Sequence, residues 1–291
     1  MGYTFFRLNG GVIVIIEPHI HMYSRTTDDY QALYGAGIRV CVEPSFWLGS
    51  DRRYAGTFFD YFKLILDFET VRARRFGVDH YAAIGYNPKE AGNMKLVNEV
   101  LAGMGEYLDH ERCVALGEIG FDRISDNEEY ALLRQLDIAQ ARNLPVIVHL
   151  PHVNKPDGIE RTVACLRKAG MDERRVYLDH NTEETIDLAI NETRCFCGLT
   201  VYPFSKLNPA RVSDIVRRVG SERIIVSGSA DWGVSDPLSL IKVVDHMKAD
   251  GHDEPTLHRL VFANAMAFYS QSPAWRPRFD LAPVDPREFQ R

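Results

Sequence analysis

The chain has 291 residues, of which 45% are hydrophobic and 25% are charged, and its formal net charge is −6. This is the composition of an ordinary globular protein, and its acidic balance gives no general attraction to nucleic acid or to an anionic membrane surface. The first apolar stretch is too short for a spanning helix and lacks the flanks of a signal peptide, so we expect a cytoplasmic protein without membrane insertion.

Five cysteines are scattered through the chain, mostly inside apolar segments. An odd number in such positions argues against a disulfide framework and favours a reducing compartment. The closely spaced Cys195 and Cys197, in the sequence CFC, have two interpretations. They form a thiolate metal site or, as we favour, part of a buried strand, because free cysteine packs as a small hydrophobic residue.

Short apolar runs rich in β-branched residues recur along the whole chain. Most are continuously apolar rather than alternating, as expected of strands that are buried on both faces of a parallel sheet. The eight predicted strands cover residues 12–17, 38–44, 80–86, 113–120, 145–150, 175–180, 194–200 and 223–231.

Amphipathic segments separate these runs, and the clearest begins at Ser125, which precedes an acidic first turn as a helix N-cap should. The predicted helices cover residues 56–77, 87–110, 125–143, 181–191, 208–220 and 236–251. Strand followed by helix, repeated along about 250 residues, predicts an α/β protein with a single-domain (β/α)8 TIM barrel. An open doubly wound sheet is the alternative, but no glycine-rich turn follows the first strand. We place the barrel at 1–270 and a proline-containing surface tail at 271–291.

Active sites of such barrels lie at the carboxyl ends of the strands, so the polar residues at those positions are the candidates for chemistry. Two histidines end the first predicted strand one residue apart, and alternation along a strand directs both side chains to the same side. One histidine or carboxylate ends each of the fourth, fifth, sixth and eighth strands. The predicted metal ligands are His19, His21, Glu118, His149, His180 and Asp231.

Imidazole nitrogens and carboxylate oxygens bind divalent ions such as Zn²⁺, Mn²⁺ or Mg²⁺. Six ligands exceed the need of one catalytic ion with an open position, so we expect two divalent metal ions that share a carboxylate. Each position also has a plainer interpretation. His149 would cap a loop and His180 would belong to a turn, whereas Glu118 in an apolar strand is harder to explain, because an unpaired buried carboxylate is costly.

Five motifs occur in a fixed order along the chain: HIH at the first strand end, GEIGFD at the fourth, PVIVH at the fifth, DH at the sixth and SAD at the eighth. Together they resemble the TatD-related metal-dependent hydrolases of the amidohydrolase superfamily. FANAMAFY at 262–269 is similar to the carboxyl-terminal helix of that family. The segments EPSFWLG, DHNTEET and SADWG further resemble the EboC-type branch, which is encoded in small-molecule biosynthesis or export gene clusters.

The resemblance implies a binuclear centre in which His19, His21 and Asp231 hold one ion. His149 and His180 would hold the other, and the carboxylate of the fourth strand would bridge the two. The chemistry agrees with such a plan, because a metal ion lowers the pKa of bound water toward 7 and polarises the bond to be broken.

Two carboxylates are predicted to be catalytic, namely Glu118 as the bridge and Asp231 as the proton shuttle. Glu43, at the end of the second predicted strand, has two interpretations. It orients a ligand histidine, or it is a carboxylate at the start of a helix.

Further charged and aromatic residues follow the same strands and are predicted to bind the substrate. The basic residues would form a pocket for a phosphate or carboxylate, and the aromatic residues would pack an apolar or ring-bearing portion. The alternative for each is a solvated loop residue. The basic residues are Arg25, Arg123, His152, Lys155 and Lys206, and the aromatic residues are Trp47, Tyr202 and Trp232, with Tyr23 nearby.

These observations predict a divalent-metal-dependent hydrolase that cleaves an ester, phosphoester, amide or lactone bond in a small molecule, for which the basic residues favour an anion. One alternative is a 3′–5′ exonuclease or DNase of the TatD type. HNTEE replaces the His-Cys-Phe-Ser-Gly stretch of nuclease-like members and SAD replaces their Glu-Thr-Asp, which disfavours nucleic acid as the substrate. A second alternative is a metal-retaining binding protein without catalysis in a biosynthetic or export pathway.

Overall fold

Eight parallel strands form one sheet in the order β1 to β8 in the computed structural model, which describes residues 14–285 and 287–288. Each predicted run overlaps one strand; residues 12 and 13 of the first run lie outside the described residues. The strands are β1 Ile15–Glu17, β2 Ile38–Pro44, β3 Asp79–Ile84, β4 Cys113–Gly120, β5 Val146–His149, β6 Val176–Asp179, β7 Phe196–Thr200 and β8 Ile224–Ser227.

Helices connect the strands along the outside of the sheet. They are α1 Thr27–Gly35, α2 Ala55–Lys63, α3 Glu69–Arg75, α4 Met94–Gly103, α5 Gly105–Leu108, α6 Asp126–Ala141, α7 Lys155–Ala169, α8 Ile186–Glu192, α9 Pro209–Val219, α10 Ser239–Ala249, α11 Glu254–His258 and α12 Asn264–Tyr269. The predicted helix 56–77 is continuous from α2 to α3 through a π-helical segment, Leu64–Phe68. Helices α1, α7 and α11 lie outside the predicted helical segments.

The last strand returns to the first at the carboxyl end of the sheet. The backbone N–H of Ser229 donates to His19 O at 2.8 Å, and the N–H of His21 donates to Ala230 O at 2.8 Å. These bonds bring the segment after β8 beside the segment after β1, so the eight strands form a nearly closed barrel. The predicted (β/α)8 TIM barrel is confirmed. The segments after β1 and β8 are joined at the end of the barrel where the predicted ligands lie.

Alternate side chains of the strands divide the apolar core into two parts. One part packs between the strands and the helices, and the other includes Val42, Tyr81 and Ile147 together with Phe268 and Trp275. Trp275, in the predicted tail, is only 7% exposed, and its ring centre lies 4.8 Å from that of Tyr81. Burial of such a side chain contributes about 1.5–3 kcal/mol. The bounds 1–270 and 271–291 stay a prediction, and residues 1–13, 286 and 289–291 lie outside the described residues.

All five cysteines are buried free thiols. Cys195 immediately precedes β7 and Cys197 lies within it, which confirms the buried-strand interpretation of CFC. Burial raises the pKa of Cys113 and of Cys195 to about 12, so these thiols are protonated at neutral pH. Within residues 14–285 and 287–288, no helix combines the length and the apolar character needed to span a membrane.

Candidate metal centre

Five of the six predicted ligands meet at the carboxyl end of the barrel. Glu118 Oε1 lies 2.8 Å from His149 Nδ1, 2.9 Å from His180 Nε2 and 3.9 Å from His19 Nε2. His19 Nε2 in turn faces His21 Nε2 at 3.1 Å. All five side chains belong to residues that are no more than 4% exposed. The fold therefore brings these donors within reach of one another, and their roles as ligands stay predictions.

Asp231, the sixth predicted ligand, is not part of this closely packed group. The predicted eighth strand extends too far: β8 ends at Ser227, and Ser229 places its Oγ 3.5 Å from His19 Nε2. Asp231 follows two residues later, and its Oδ1 accepts hydrogen bonds from the Tyr202 hydroxyl at 2.7 Å and from a backbone N–H at 2.6 Å. Asp231 still lines the cavity that contains Glu118.

A carboxylate that the sequence analysis did not select, Asp179, lies directly behind the histidines. Its Oδ2 is 2.5 Å from His19 Nδ1, and its Oδ1 accepts from the Thr200 hydroxyl at 3.0 Å. Thr200 Oγ1 also lies 2.7 Å from His180 Nδ1. These contacts occupy the Nδ1 atoms of both histidines and direct both Nε2 atoms toward Glu118. The sequence signal for it is the DH pair at 179–180, of which the histidine alone is a predicted ligand.

The charges of the cluster follow from burial and from proximity. Burial alone would raise the pKa of the Glu118 carboxyl, but His149, His180 and His19 outweigh it and hold that pKa well below its ordinary value. Asp179 has a strongly lowered pKa for the same reason, through His180 and His19. Burial lowers the pKa of His180 to about 3 and that of His21 well below its ordinary value. An ionised Glu118 beside neutral His180 and His21 has the protonation states that metal binding requires.

Two buried imidazole nitrogens in the described part of the chain have no hydrogen-bond partner, His21 Nδ1 and His149 Nε2. A buried polar atom without a partner costs about 1–3 kcal/mol, so such atoms are rare without a reason. Metal coordination would satisfy nitrogen donors of this kind, and nitrogen with carboxylate oxygen is the donor set of Zn²⁺ or Mn²⁺. The residues present therefore fit a divalent metal ion.

We expect Asp179→Asn to weaken metal binding by about 10–100-fold, because the amide cannot hold the His19 ring as an ionised carboxylate does. Competition with a chelator, followed by elemental analysis of the protein, measures the affinity. Asp79→Asn is the matched control, since Asp79 is also buried but pairs with Arg112 at the opposite end of the barrel. Equal metal affinity in wild type and Asp179→Asn would show that this carboxylate does not orient a ligand.

Two of the basic residues predicted to bind an anion do not face the cluster. Arg25 forms a salt bridge with Asp29, and its Nη1 donates to Asp231 O at 2.8 Å, so it fastens the loop after β8. The side chain of Arg123 is 88% exposed beside Asp122, and Arg123 lines a different cavity. The five basic residues therefore do not form one pocket, because these two lie apart from the cluster.

The other three basic residues lie close to the cluster. Lys155 is buried and donates to His180 O at 2.8 Å. The His152 ring stacks against that of His180, with 5.8 Å between ring centres. Lys206 Nζ lies 3.3 Å from Ser229 Oγ, and burial lowers its pKa. His152 and Lys206 line the cavity of about 140 Å³ that contains Glu118, and so does Lys89, which the sequence analysis missed.

Of the aromatic residues, Trp47 and Trp232 lie together with 5.9 Å between their ring centres, whereas the Tyr202 hydroxyl is bound to Asp231. Phe46, which sequence reasoning passed over beside Trp47, stacks on His21 with 4.1 Å between ring centres. Phe46 therefore joins the two tryptophans, with 5.1 Å between its ring centre and that of Trp232. The role of Tyr202 in substrate binding stays a prediction.

Glu43 fits neither of its two sequence interpretations. The next helix begins only at Ala55, and the carboxylate is buried without a hydrogen bond to the histidines of the centre. Glu43 accepts from the backbone N–H of Tyr23 at 2.9 Å and lies 2.8 Å from His80 Nε2. It therefore holds the backbone that follows His21 rather than the ring itself.

A nearly closed (β/α)8 barrel with buried histidines and carboxylates at its carboxyl end defines the class of barrel hydrolases that use metal ions. The family model described as TatD related DNase matches residues 18–229 of the chain. The chain belongs to this TatD-related family, and the prediction of a TatD-related hydrolase is confirmed.

Two curated relatives carry related descriptions. An uncharacterised metal-dependent hydrolase of Methanocaldococcus jannaschii is 28% identical over 260 residues, which cover 88% of this chain and 99% of that protein. An uncharacterised metal-dependent hydrolase of Bacillus subtilis is 34% identical over 97 residues, which cover 32% of this chain and 35% of that protein.

Two solved structures share the fold. A TatD-like protein from Archaeoglobus fulgidus superposes with a TM-score of 0.73 at 24% identity, over 88% of this chain and 99% of that one. The phosphotriesterase homology protein of Escherichia coli, solved with phosphate in its active site, superposes with a TM-score of 0.64 at 15% identity, over 88% of this chain and 98% of that one.

Proposed function

We propose that this protein uses two divalent metal ions to hydrolyse an ester, phosphoester, amide or lactone bond in a small anionic molecule. The observation that carries the proposal is the pair of buried, unpartnered imidazole nitrogens, His149 Nε2 in the residue that contacts Glu118 and His21 Nδ1 in the residue that faces His19. His19 and His21 would hold one ion, with Asp231 as its further ligand, and His149 and His180 the other, with Glu118 between them. Bound ions would supply a water of lowered pKa and polarise the bond to be broken.

The remaining groups of the cavity would handle the proton and the anionic group of the substrate. Asp231 would accept the proton that the attacking water loses, while the Tyr202 hydroxyl fixes the orientation of its Oδ1. Lys206 would bind an anionic oxygen of the substrate, since its Nζ lies beside Ser229 in the same cavity as Glu118. Lys89 would add a second positive charge to that cavity.

Within the family, we place the chain in the EboC-type branch, on the residues EPSFWLG, DHNTEET and SADWG. A DNase or 3′–5′ exonuclease is the second candidate, because the matching family model carries that description. The acidic net charge of −6 weighs against it, since non-specific binding to nucleic acid depends on a positive surface.

The proposal is tested by metal analysis, anomalous scattering and hydrolysis assays on the purified protein. We expect two ions about 3.5–4 Å apart, as in other two-metal hydrolytic sites. p-Nitrophenyl esters and phosphoesters, amides, lactones and labelled single-stranded DNA would then be assayed side by side. Turnover of a small substrate supports the proposal, and turnover of DNA alone selects the nuclease. Metal retention without turnover of any of these compounds would favour the metal-retaining binding protein, and failure to retain metal after reconstitution would overturn all three.

We expect Lys206→Met to raise KM for an anionic substrate by about tenfold or more, since a charge-assisted hydrogen bond contributes about 1.5–3 kcal/mol. The KM of a neutral substrate of the same size should change little. Steady-state kinetics on the two substrates measure the difference, and Lys168→Met on the exposed side of α7 is the control. An equal rise of KM for both substrates would contradict an anion-binding role.

A further inference from the structure

A continuous row of aromatic rings leads from the predicted metal centre to solvent. Phe46 stacks on His21 with 4.1 Å between ring centres, and Trp232 follows at 5.1 Å from Phe46. Trp47 and Tyr23 approach Trp232 at 5.9 Å and 6.1 Å. We call Phe46, Trp47 and Trp232 the aromatic wall.

The wall is not explained by core packing. Trp232 is 45% exposed, although a large apolar side chain in a loop gains nothing from contact with water. Its neighbour Phe46 lines the cavity that contains Glu118 and His180. One end of the wall is therefore part of the candidate site, and the other end is open to a ligand.

The cavity at the cluster holds about 140 Å³, which is enough for the scissile group and little else. A substrate that reaches the cluster must extend along a neighbouring surface, and the wall is the apolar surface in direct contact with His21. Lys206 and Lys89 also line the cavity, and Lys89 Nζ lies 5.0 Å from the ring centre of Trp47. The entrance to the cluster thus combines aromatic rings with cationic side chains.

We infer that the substrate carries a planar ring next to the bond that is hydrolysed, and that this ring stacks on the aromatic wall. The inference rests on the proposed function, because it names the class of molecule that the same site accepts. Rings of two kinds satisfy it: an aryl group of a small molecule, or a base at the end of a nucleic-acid strand. Stacking on an aromatic side chain is sequence-tolerant and would strengthen binding about tenfold.

The three tryptophans of the chain give a direct test, because each contributes one indole N–H signal to a nitrogen–proton correlation spectrum. Trp47 and Trp232 belong to the wall, and Trp275 is buried at the opposite end of the barrel and acts as an internal reference. The purified protein would be titrated with 1-naphthol and 1-naphthylphosphonate. 1-Hexanol and methylphosphonate are the ringless comparisons.

We expect the naphthyl compounds to shift the Trp47 and Trp232 signals at concentrations about tenfold lower than their ringless counterparts, with no shift of Trp275. Trp232→Ala should weaken naphthyl binding about tenfold. Trp232→Leu should bind naphthyl compounds more tightly than Trp232→Ala and less tightly than wild type, because leucine is apolar but has no ring. Tyr54→Ala is the control, since Tyr54 is an exposed aromatic residue outside the wall. Equal affinities for naphthyl and ringless compounds, or unchanged affinity in Trp232→Ala, would overturn the inference.

A tetramer of deoxythymidine forms a further arm of the titration. If the tryptophan signals shift at lower concentrations of the tetramer than of 1-naphthylphosphonate, the ring is a nucleic-acid base. If 1-naphthylphosphonate acts at the lower concentration, the ring belongs to a small aryl compound. Because 1-naphthol is neutral and needs no metal ion, its binding is independent of the hydrolytic centre. Failure of the metal and hydrolysis assays with naphthol still bound would overturn the proposed function and leave a wall that binds rings, and failure of naphthol binding would overturn the wall alone.

Discussion

Replacing Glu118 by glutamine should abolish hydrolysis and reduce the bound metal. Three imidazoles surround Glu118 Oε1, at 2.8 Å for His149, 2.9 Å for His180 and 3.9 Å for His19. The glutamine amide is neutral, so it cannot balance the charge of a metal ion. Its NH₂ group is also a hydrogen-bond donor, whereas the surrounding imidazole nitrogens require an acceptor or a metal ion. We expect the rate to fall by a factor on the order of 10²–10⁴, as for loss of a catalytic carboxylate, and the metal content to fall from two ions to one or none.

Glu128→Gln provides the matched control for this experiment. Glu128 is also a buried carboxylate, but it accepts the backbone N–H of Ser125 at the start of α6 and has no contact with the cluster. That variant should lose stability while keeping metal and activity. Elemental analysis, thermal unfolding and kinetics on the two variants separate a ligand from a structural carboxylate. Two ions bound at wild-type affinity in Glu118→Gln would show that this carboxylate does not bridge them.

The strands were the part of the fold most readable from sequence. Runs such as 38–44 and 113–120 are continuously apolar because both sheet faces are buried, and the observed β2 and β4 have the same bounds. Helices α1 and α7 were not readable in this way. The segment before α7 contains Asn154 in a left-handed conformation followed by Lys155 and Pro156, so its first turn has the composition of a loop.

The sequence predicts those residues of the candidate site that lie at the end of a strand. It does not predict which residues of different strands contact each other. His19, Glu118 and His180 converge because the carboxyl ends of all the parallel strands lie at the same end of the barrel. The pairing of Asp179 with His19 joins residues 160 positions apart, and no local pattern indicates it. Asp231 was predicted within the strand, but the chain leaves the sheet after Ser227, which shifts the last carboxylate toward Tyr202.

The loops around the mouth were the least predictable part, because a basic side chain carries no sign of its partner. Arg25 and Lys206 look equivalent in the sequence. In the structure, Arg25 is bound to Asp29 and to a backbone carbonyl, whereas Lys206 lies beside Ser229 in the cavity of the cluster. A basic side chain is available to a substrate only if the fold does not bring a carboxylate or carbonyl group against it.

The second large effect concerns the two histidines after β1. Removing both imidazoles should lower the bound metal by one ion and abolish hydrolysis, since His21 Nδ1 has no partner and both Nε2 atoms face each other at 3.1 Å. Alanine at both positions would leave the buried Asp179 carboxylate without the His19 contact, and an uncompensated buried charge costs about 3–5 kcal/mol. The variant to make is therefore His19→Asn combined with His21→Ala.

Asparagine places its amide nitrogen near the position of the imidazole Nδ1, so it keeps a donor for Asp179 while it removes Nε2. The barrel should remain folded, with an unchanged far-ultraviolet dichroism spectrum, while elemental analysis shows one ion fewer. His246→Ala combined with His258→Ala removes two imidazoles from α10 and α11 and should leave the metal content at the wild-type value. If the folded His19→Asn/His21→Ala protein bound as much metal as wild type, the ions would have to lie elsewhere. The convergence of these rings at the end of the barrel would then need a different chemical explanation.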